Sequence, residues 1–258
     1  MERCPNEFIT LAHHLADAAR PIVRRYFRSP IPIDEKADHS PVTIADQQVE
    51  QAMRDLIRQT FPQHGILGEE HGREQCDADY VWVLDPIDGT GAFITGKPSF
   101  GTLIALAYRG TPILGVIDQA ILDERWIGAQ GMATSLNGQP ARVRACSSIN
   151  HAYAYTTGPD FFDAETLPAW NRVAASVKRA RYGCDCYAYA LLASGHVDLV
   201  VEAGLKPYDY AALVPVIQQA GGTVTDWAGQ AVSIISDGRI CAAGDTRIHA
   251  AALEILSA

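Results

Sequence analysis

Trp82-Val83-Leu84-Asp85-Pro86-Ile87-Asp88-Gly89-Thr90 runs from an apolar stretch into two carboxylates, a proline, a glycine and a hydroxyl. With Tyr80 and Val81 in front, its aromatic and β-branched residues predict a short buried strand over Tyr80–Leu84. Pro86 stiffens the turn, and Gly89 lets backbone come close to a ligand. The end of an apolar strand is where α/β proteins commonly place functional groups. An all-oxygen donor set suits hard cations, and magnesium combines a few carboxylates with water and substrate phosphate. By local rules alone, Asp85-Pro86 and Asp88-Gly89 are also ordinary turn formers. A calcium loop does not fit, because its acids fall at alternate positions and these do not.

Outward from this stretch, Gly65-Ile66-Leu67-Gly68 reads as another short strand, ending at Glu69 and Glu70, which could join the same cluster. Thr102–Tyr108 and Ile113–Ile117, joined by Arg109-Gly110-Thr111-Pro112, predict a hairpin, and Glu124–Gly128 a further strand. Upstream, residues 6–27 carry Phe8, Leu11, Leu15, Ala18, Ala19, Ile22 and Tyr26 at helical spacing, with Pro21 expected to kink or interrupt the helix. Thr43-x-x-Asp46 resembles a capping box, and Val49, Met53, Leu56 and Ile57 give the helix after it a buried face. Past Asn137-Gly138-Gln139-Pro140, strand-like pieces (Tyr153–Thr156, Val197–Val201, Ile240–Ala243) alternate with helix-like ones (Ala188–Ser194, Tyr210–Gln219, Thr246–Ser257). Lys206-Pro207-Tyr208-Asp209 opens the second of these helices, so Asp209 can reach sideways into a shared site. Hairpins first, then alternation, imply a layered α/β fold with mixed sheets. No linker or repeat divides residues 1–258. They are expected to form one unit, with an N-terminal α+β half to about residue 140 and an α/β half after it.

The chain has 258 residues, 48% hydrophobic and 20% charged, ample for a buried core. A formal net charge of −9 argues against a nucleic-acid-binding surface. An acidic protein can still bind phosphate where cations or backbone amides neutralise the ligand locally. No apolar run reaches the length of a membrane span, and Met1–Glu7 leads into an amphipathic segment rather than a signal sequence. The six cysteines are therefore expected as reduced thiols in a cytoplasm, and Cys184-x-Cys186 lacks the spacing of zinc or redox motifs.

Gly68-Glu69-Glu70, Trp82–Thr90 and Tyr208-Asp209-Tyr210-Ala211-Ala212, followed by Ala220-Gly221-Gly222, resemble the inositol monophosphatase superfamily. The likeness runs from the first helix to about Trp227. It implies that family's sugar-phosphatase fold, an α-β-α-β-α sandwich with mixed sheets, and a magnesium-dependent phosphomonoesterase holding two to three ions. One ion is expected on Glu69, Asp85 and the Ile87 carbonyl, a second on Asp85, Asp88 and Asp209, and a weaker third on Glu69 and water. Thr90 and Asp46 match the pair that orients and deprotonates the attacking water, with Glu70 in support. Lys36, in the loop before Asp46, either screens the phosphate or is a solvated charge. The N–H groups of Gly89, Thr90 and Gly91, at a predicted helix start, are expected to hold phosphate oxygens. The chemistry is consistent: a phosphate dianion repels hydroxide, and bound cations offset that charge, acidify water and stabilise the leaving alkoxide. The resemblance also implies a homodimer acting on a small phosphate monoester.

Within the superfamily, three stretches look like the histidinol-phosphate phosphatase branch: Ala92–Pro98, Arg181–Tyr189 and Val201–Asp209. Gly183-Cys184-Asp185 stands where inositol phosphatases usually carry Gly-Ser-Ala. A carboxylate at Asp185 would pair with the ammonium of histidinol phosphate, and Glu202, matching the family's leaving-group reader, is a second partner. Asp185 would equally serve as the N-cap of the helix beginning at Cys186, and the two roles can coexist. Many relatives carry a side chain where Gly91 sits, and its contact is missing here. The nearest alternative is an inositol-phosphate or related sugar-phosphate phosphatase. A non-catalytic regulator of the same fold would have lost a ligand or the Thr90–Asp46 pair, and this chain has kept them.

Overall fold

The computed structural model of the chain describes residues 3–30, 32–35 and 41–258. Lys36 lies outside the described residues. Helices α1 (Asn6–Tyr26) and α2 (Ile44–Thr60) flank a small hairpin of β1 (Ile33–Glu35) and β2 (Pro41–Thr43). Then come β3 (Gly65–Gly68), β4 (Gly72–Glu74), β5 (Tyr80–Asp88), the short helix α3 (Thr90–Ile94), and β6 (Gly101–Tyr108). Strands β7 (Thr111–Gln119), β8 (Glu124–Ala129), β9 (Met132–Leu136) and β10 (Gln139–Pro140) follow. The later part alternates: β11 (Tyr153–Thr156), α4 (Leu167–Ser176), β12 (Arg179–Tyr182), α5 (Asp185–Ala193) and β13 (Leu199–Glu202). Helices α6 (Pro207–Tyr210) and α7 (Leu213–Gln219), strands β14 (Thr223–Thr225) and β15 (Ile240–Ala243), and helix α8 (Thr246–Leu256) complete it.

Two mixed sheets result. The first has eight strands in the order β10-β9-β8-β7-β6-β5-β3-β4, the second five in the order β12-β11-β13-β15-β14. Their central strands, β5, β6 and β13 among them, are apolar on both faces because both faces are covered. Trp82 and Leu84 of β5 point into a core with α1 and α2, whereas Val81 and Val83 point into another with α5 and α7. Val200 of β13 and Ala242 of β15 enter that same middle core, and their neighbours Val201 and Cys241 pack outward with α4 and α8. The period-two alternation of side chains thus assigns each strand residue to one of two layers, which gives the α-β-α-β-α sandwich.

Several details depart from the expectations. Helix α1 continues through Pro21. The helix is held on both sides of the missing N–H: Arg20 pairs with Asp118, and Arg24 Nε donates to Ala120 O at 2.7 Å. Strand β5 does not stop at Leu84 but runs on through Pro86 to Asp88. Tyr210–Gln219 divides into the end of α6 and the separate helix α7. Asn137-Gly138 is a hairpin turn between β9 and β10, with both residues at positive φ, a signal the two-residue Asn-Gly spacing carried.

Candidate active site

The parallel pairing of β3 with β5 sets Gly68 opposite Leu84. The next residue of each strand, Glu69 and Asp85, therefore emerges at the same edge, and the Glu69 N–H donates to Leu84 O at 3.2 Å. Beyond Asp85 the register with β6 shifts: Asp85 faces Leu103, while Asp88 faces Gly101. Three steps on β5 match two on β6, a bulge that bends the strand where Pro86 cannot donate to the ladder. Thr102 Oγ1 fixes the bend by donating to Pro86 O at 2.8 Å. Asp88 is thereby swung to the same side as Asp85.

Asp209 arrives from the other half of the chain. It is the third residue of α6, and its carboxylate accepts the Lys206 N–H at 2.6 Å, capping its own helix. Asp85, Asp88 and Asp209 each offer an oxygen within 4.8 Å of the others. Burial, and then the Glu69, Asp88 and Asp209 charges, hold the Asp85 carboxyl well above the ordinary range. Burial and the neighbouring acids also push Asp209 up to about 7. Like charges this close repel unless a cation stands among them. Asp85 Oδ1 is buried with no hydrogen-bond partner among the described residues, and such an orphan in a native fold calls for an explanation. An all-carboxylate donor set with an unsatisfied buried oxygen fits a hard divalent cation such as magnesium.

Asp46 and Thr90 meet across α2 and α3. Asp46 Oδ2 accepts both the N–H and the hydroxyl of Thr43, at 2.8 and 2.6 Å, forming the capping box of α2. Its other oxygen, Oδ1, lies 3.5 Å from Thr90 Oγ1, which also reaches Ile87 O at 3.1 Å. One hydroxyl hydrogen cannot serve both. The shorter contact holds it here, and a group drawing on the Ile87 carbonyl would release Thr90 toward Asp46. Burial raises the Asp46 carboxyl to about 6 against the pull of its Thr43 bonds. Gly89 caps α3 at φ 85° in the left-handed region, and a Cβ there would stand 2.7 Å from Asp185 Cγ. Only glycine allows both. The first turn of α3 has no side-chain cap, so the Thr90 and Gly91 end of the helix opens to the cavity.

That cavity, of about 480 Å³, is lined by Glu69, Asp85, Ile87, Asp88, Asp209 and the Gly89-Thr90-Gly91 turn, with Asp185 and Glu202 on a further wall. Asp185 is not an N-cap: Cys184 takes that place, and the Cys186 N–H is capped by Asp88 Oδ2 at 2.7 Å. This leaves the Asp185 carboxylate to face Ser99, whose hydroxyl donates to it at 3.4 Å. Glu202 already uses both oxygens: Oε1 accepts the Thr157 N–H at 2.8 Å, and Oε2 accepts the Tyr189 hydroxyl at 2.8 Å. Gly183 stands back from the cavity, turned at φ 75° beside the Lys97 ammonium. Glu70 also lies outside the residues lining the cavity, and its N–H is held by Glu50 Oε2 at 2.7 Å. Thr157, Tyr189 and Glu50 had no local signal, since their roles arise from contacts 45, 13 and 20 residues away in the chain.

With this geometry in place, the comparisons with known proteins agree in kind. Residues 5–258 match the model of the inositol monophosphatase family. The chain is 55% identical over 260 residues to "Bifunctional phosphatase IMPL2, chloroplastic" of Arabidopsis thaliana, covering 97% of this chain and 75% of that protein. It is 32% identical over 236 residues to a histidinol-phosphatase of Chlorobaculum parvum, with 91% of each covered. Among solved structures it is similar to an inositol monophosphatase from Zymomonas mobilis, with a TM-score of 0.91, 47% identity and 98% of each chain covered.

Proposed function

The chain belongs to the inositol monophosphatase family and is a phosphomonoesterase; from that premise we propose that it hydrolyses L-histidinol phosphate with magnesium. The observation that carries the substrate choice is Asp185, a carboxylate on the cavity wall that the helix cap does not use. An ester whose leaving group bears an ammonium finds a charge partner there. The histidinol-phosphatase relative supports the same reading.

Glu69, Asp85, the Ile87 carbonyl, Asp88 and Asp209 would hold the magnesium. When bound, it offsets the phosphate charge, acidifies water and stabilises the departing alkoxide. The chain's own groups then have separate tasks. The Thr90 and Gly91 N–H groups at the start of α3 receive the non-bridging oxygens of the ester. Thr90 Oγ1 takes the proton of the attacking water as it passes its own to Asp46 Oδ1, a carboxylate that burial makes more basic, with its pKa raised to about 6, and so suited to accept it. Asp185, with Ser99 behind it, orients the cationic leaving group.

One observation favours a second reading. The similar Zymomonas mobilis structure is of an inositol monophosphatase, and Glu202 could accept a sugar hydroxyl with the lone pairs that Thr157 and Tyr189 leave open. A phosphate-release panel with magnesium separates the two. Histidinol phosphate is expected to show the highest kcat/KM among histidinol phosphate, inositol 1-phosphate, fructose bisphosphate and adenosine 3′,5′-bisphosphate. A tenfold or greater preference for inositol 1-phosphate would reverse the assignment.

A further inference from the structure

The turn that carries Glu69 is held from behind by a carboxylate outside the cavity. Three consecutive N–H groups leave the end of β3. That of Glu69 donates to Leu84 O at 3.2 Å, that of Glu70 to Glu50 Oε2 at 2.7 Å, and that of His71 to Glu50 Oε1 at 3.1 Å. Glu50 lies on α2 and is 0% exposed. A Cβ on Gly68 would stand 2.0 Å from Glu50 Oε1, so the carboxylate presses directly on the end of the strand. Its charge is met by Arg54 one helical turn on, with Nε at 2.8 Å from Oε1. Arg54, 2% exposed, also donates to Gly72 O and reaches Glu74 Oε2 at 3.2 Å, both on β4. The pair thereby grips both arms of the β3–β4 hairpin, with Glu69 at its turn.

A buried ion pair is a poor source of stability, because desolvation cancels most of its attraction. Fixing a geometry is a better use for one. Without a cation, the Glu69 and Asp85 carboxylates repel each other, and a loosely held turn would relax by carrying Glu69 away. Amide N–H groups clamped to a fully buried carboxylate resist that movement. We infer that Glu50 is a positioning residue, fixing the Glu69-Glu70-His71 turn so that Glu69 faces Asp85 ready to share a divalent cation. The inference rests on the magnesium reading above. Arg54, paired with Glu50 one helical turn on, holds that carboxylate in place. Partners of this kind, behind the ligands, commonly set metal affinity by holding ligands in orientation.

Calorimetric titration with magnesium and manganese tests it on the wild type, Glu50→Asp, Glu50→Gln and Arg58→Gln. Glu50→Asp keeps the charge but withdraws both oxygens by one methylene, and Glu50→Gln keeps a single acceptor. Both are expected to weaken affinity by about tenfold or more. Their turnover should recover toward wild type at saturating magnesium, with KM for the ester little changed. Arg58, which pairs with Glu74 at the exposed end of the same network, should leave affinity unaltered. Unchanged affinity in both Glu50 variants, with the wild type binding normally, overturns the inference. A wild type that binds neither ion overturns the magnesium reading instead. Amide exchange on the wild type gives an answer even where a variant does not fold. Equal protection of the Glu70 and His71 N–H groups with and without magnesium supports a pre-set turn, and protection that appears only with magnesium overturns it.

Discussion

The Asp88 carboxylate accepts the Cys186 N–H at 2.7 Å, so a residue of the candidate metal site also caps the helix that presents Asp185. The bond joins the bulge of β5 to the first turn of α5, across the two halves of the chain. It ties the geometry of the Asp85, Asp88 and Asp209 cluster to that of the cavity wall that carries Asp185.

This double role predicts different outcomes for two substitutions. Asp88→Asn keeps an acceptor for the Cys186 N–H, whereas Asp88→Ala removes it. Both should be inactive for want of a ligand, and the alanine variant should be less stable than the asparagine one by about 1 kcal/mol, the usual worth of an N-terminal cap. Urea unfolding of the two proteins in chelator measures the difference. Equal midpoints would mean that the cap contributes nothing.

The acid cluster gives the metal-free protein an unusual pH dependence. Asp209 is raised to about 7 and Asp46 to about 6, both chiefly by burial. Unfolded aspartates titrate near 3.9. Between about pH 4 and pH 7 the folded chain therefore binds more protons than the unfolded one, and these groups lose stability as pH rises through that window. Added magnesium, which takes the deprotonated carboxylates, should oppose the loss. Denaturant midpoints in EDTA are expected to be lower at pH 8 than at pH 5.5, with the gap narrowing on magnesium addition. A midpoint in EDTA that climbs with pH would show that these carboxyls are not raised in the folded chain.

Thr90→Ala removes the hydroxyl between Asp46 and Ile87 without touching a carboxylate. Single-turnover rates are expected to fall by about 10²- to 10⁴-fold, the usual worth of a positioned proton-transfer group. Inhibition by inorganic phosphate should be nearly unchanged, since the backbone at the start of α3 remains. A wild-type rate in this variant would remove Thr90 from the chemistry.

Asp185→Ser tests the leaving-group wall. Loss of a charge-assisted contact should lower kcat/KM for histidinol phosphate by about 10- to 100-fold. Efficiency toward inositol 1-phosphate should fall much less. Because Asp185 sits at φ 47°, where non-glycine residues are uncommon, a small gain in stability from Asp185→Gly is also expected. Parallel losses on both esters would show that Asp185 supports the wall without reading its cation.

The sequence alone pointed to the phosphatase family and to most of the layers. An apolar run ending in Asp85-Pro86-Ile87-Asp88-Gly89-Thr90 must bury its strand and leave its carboxylates at the edge, and the Thr43-x-x-Asp46 capping box was legible because its bonds are local. Pattern could not say that β5 continues through Pro86, because the bulge exists only against Leu103 and Gly101 of β6. Nor could it say that Asp88, rather than Asp185, caps α5, that Glu202 is already held by Thr157 and Tyr189, or that Glu50 grips the turn after β3. Each of these depends on which distant segments the two sheets bring together. Residue type and spacing report what a segment can do with its own neighbours, and only tertiary packing decides which carboxylates remain unspent to meet a ligand.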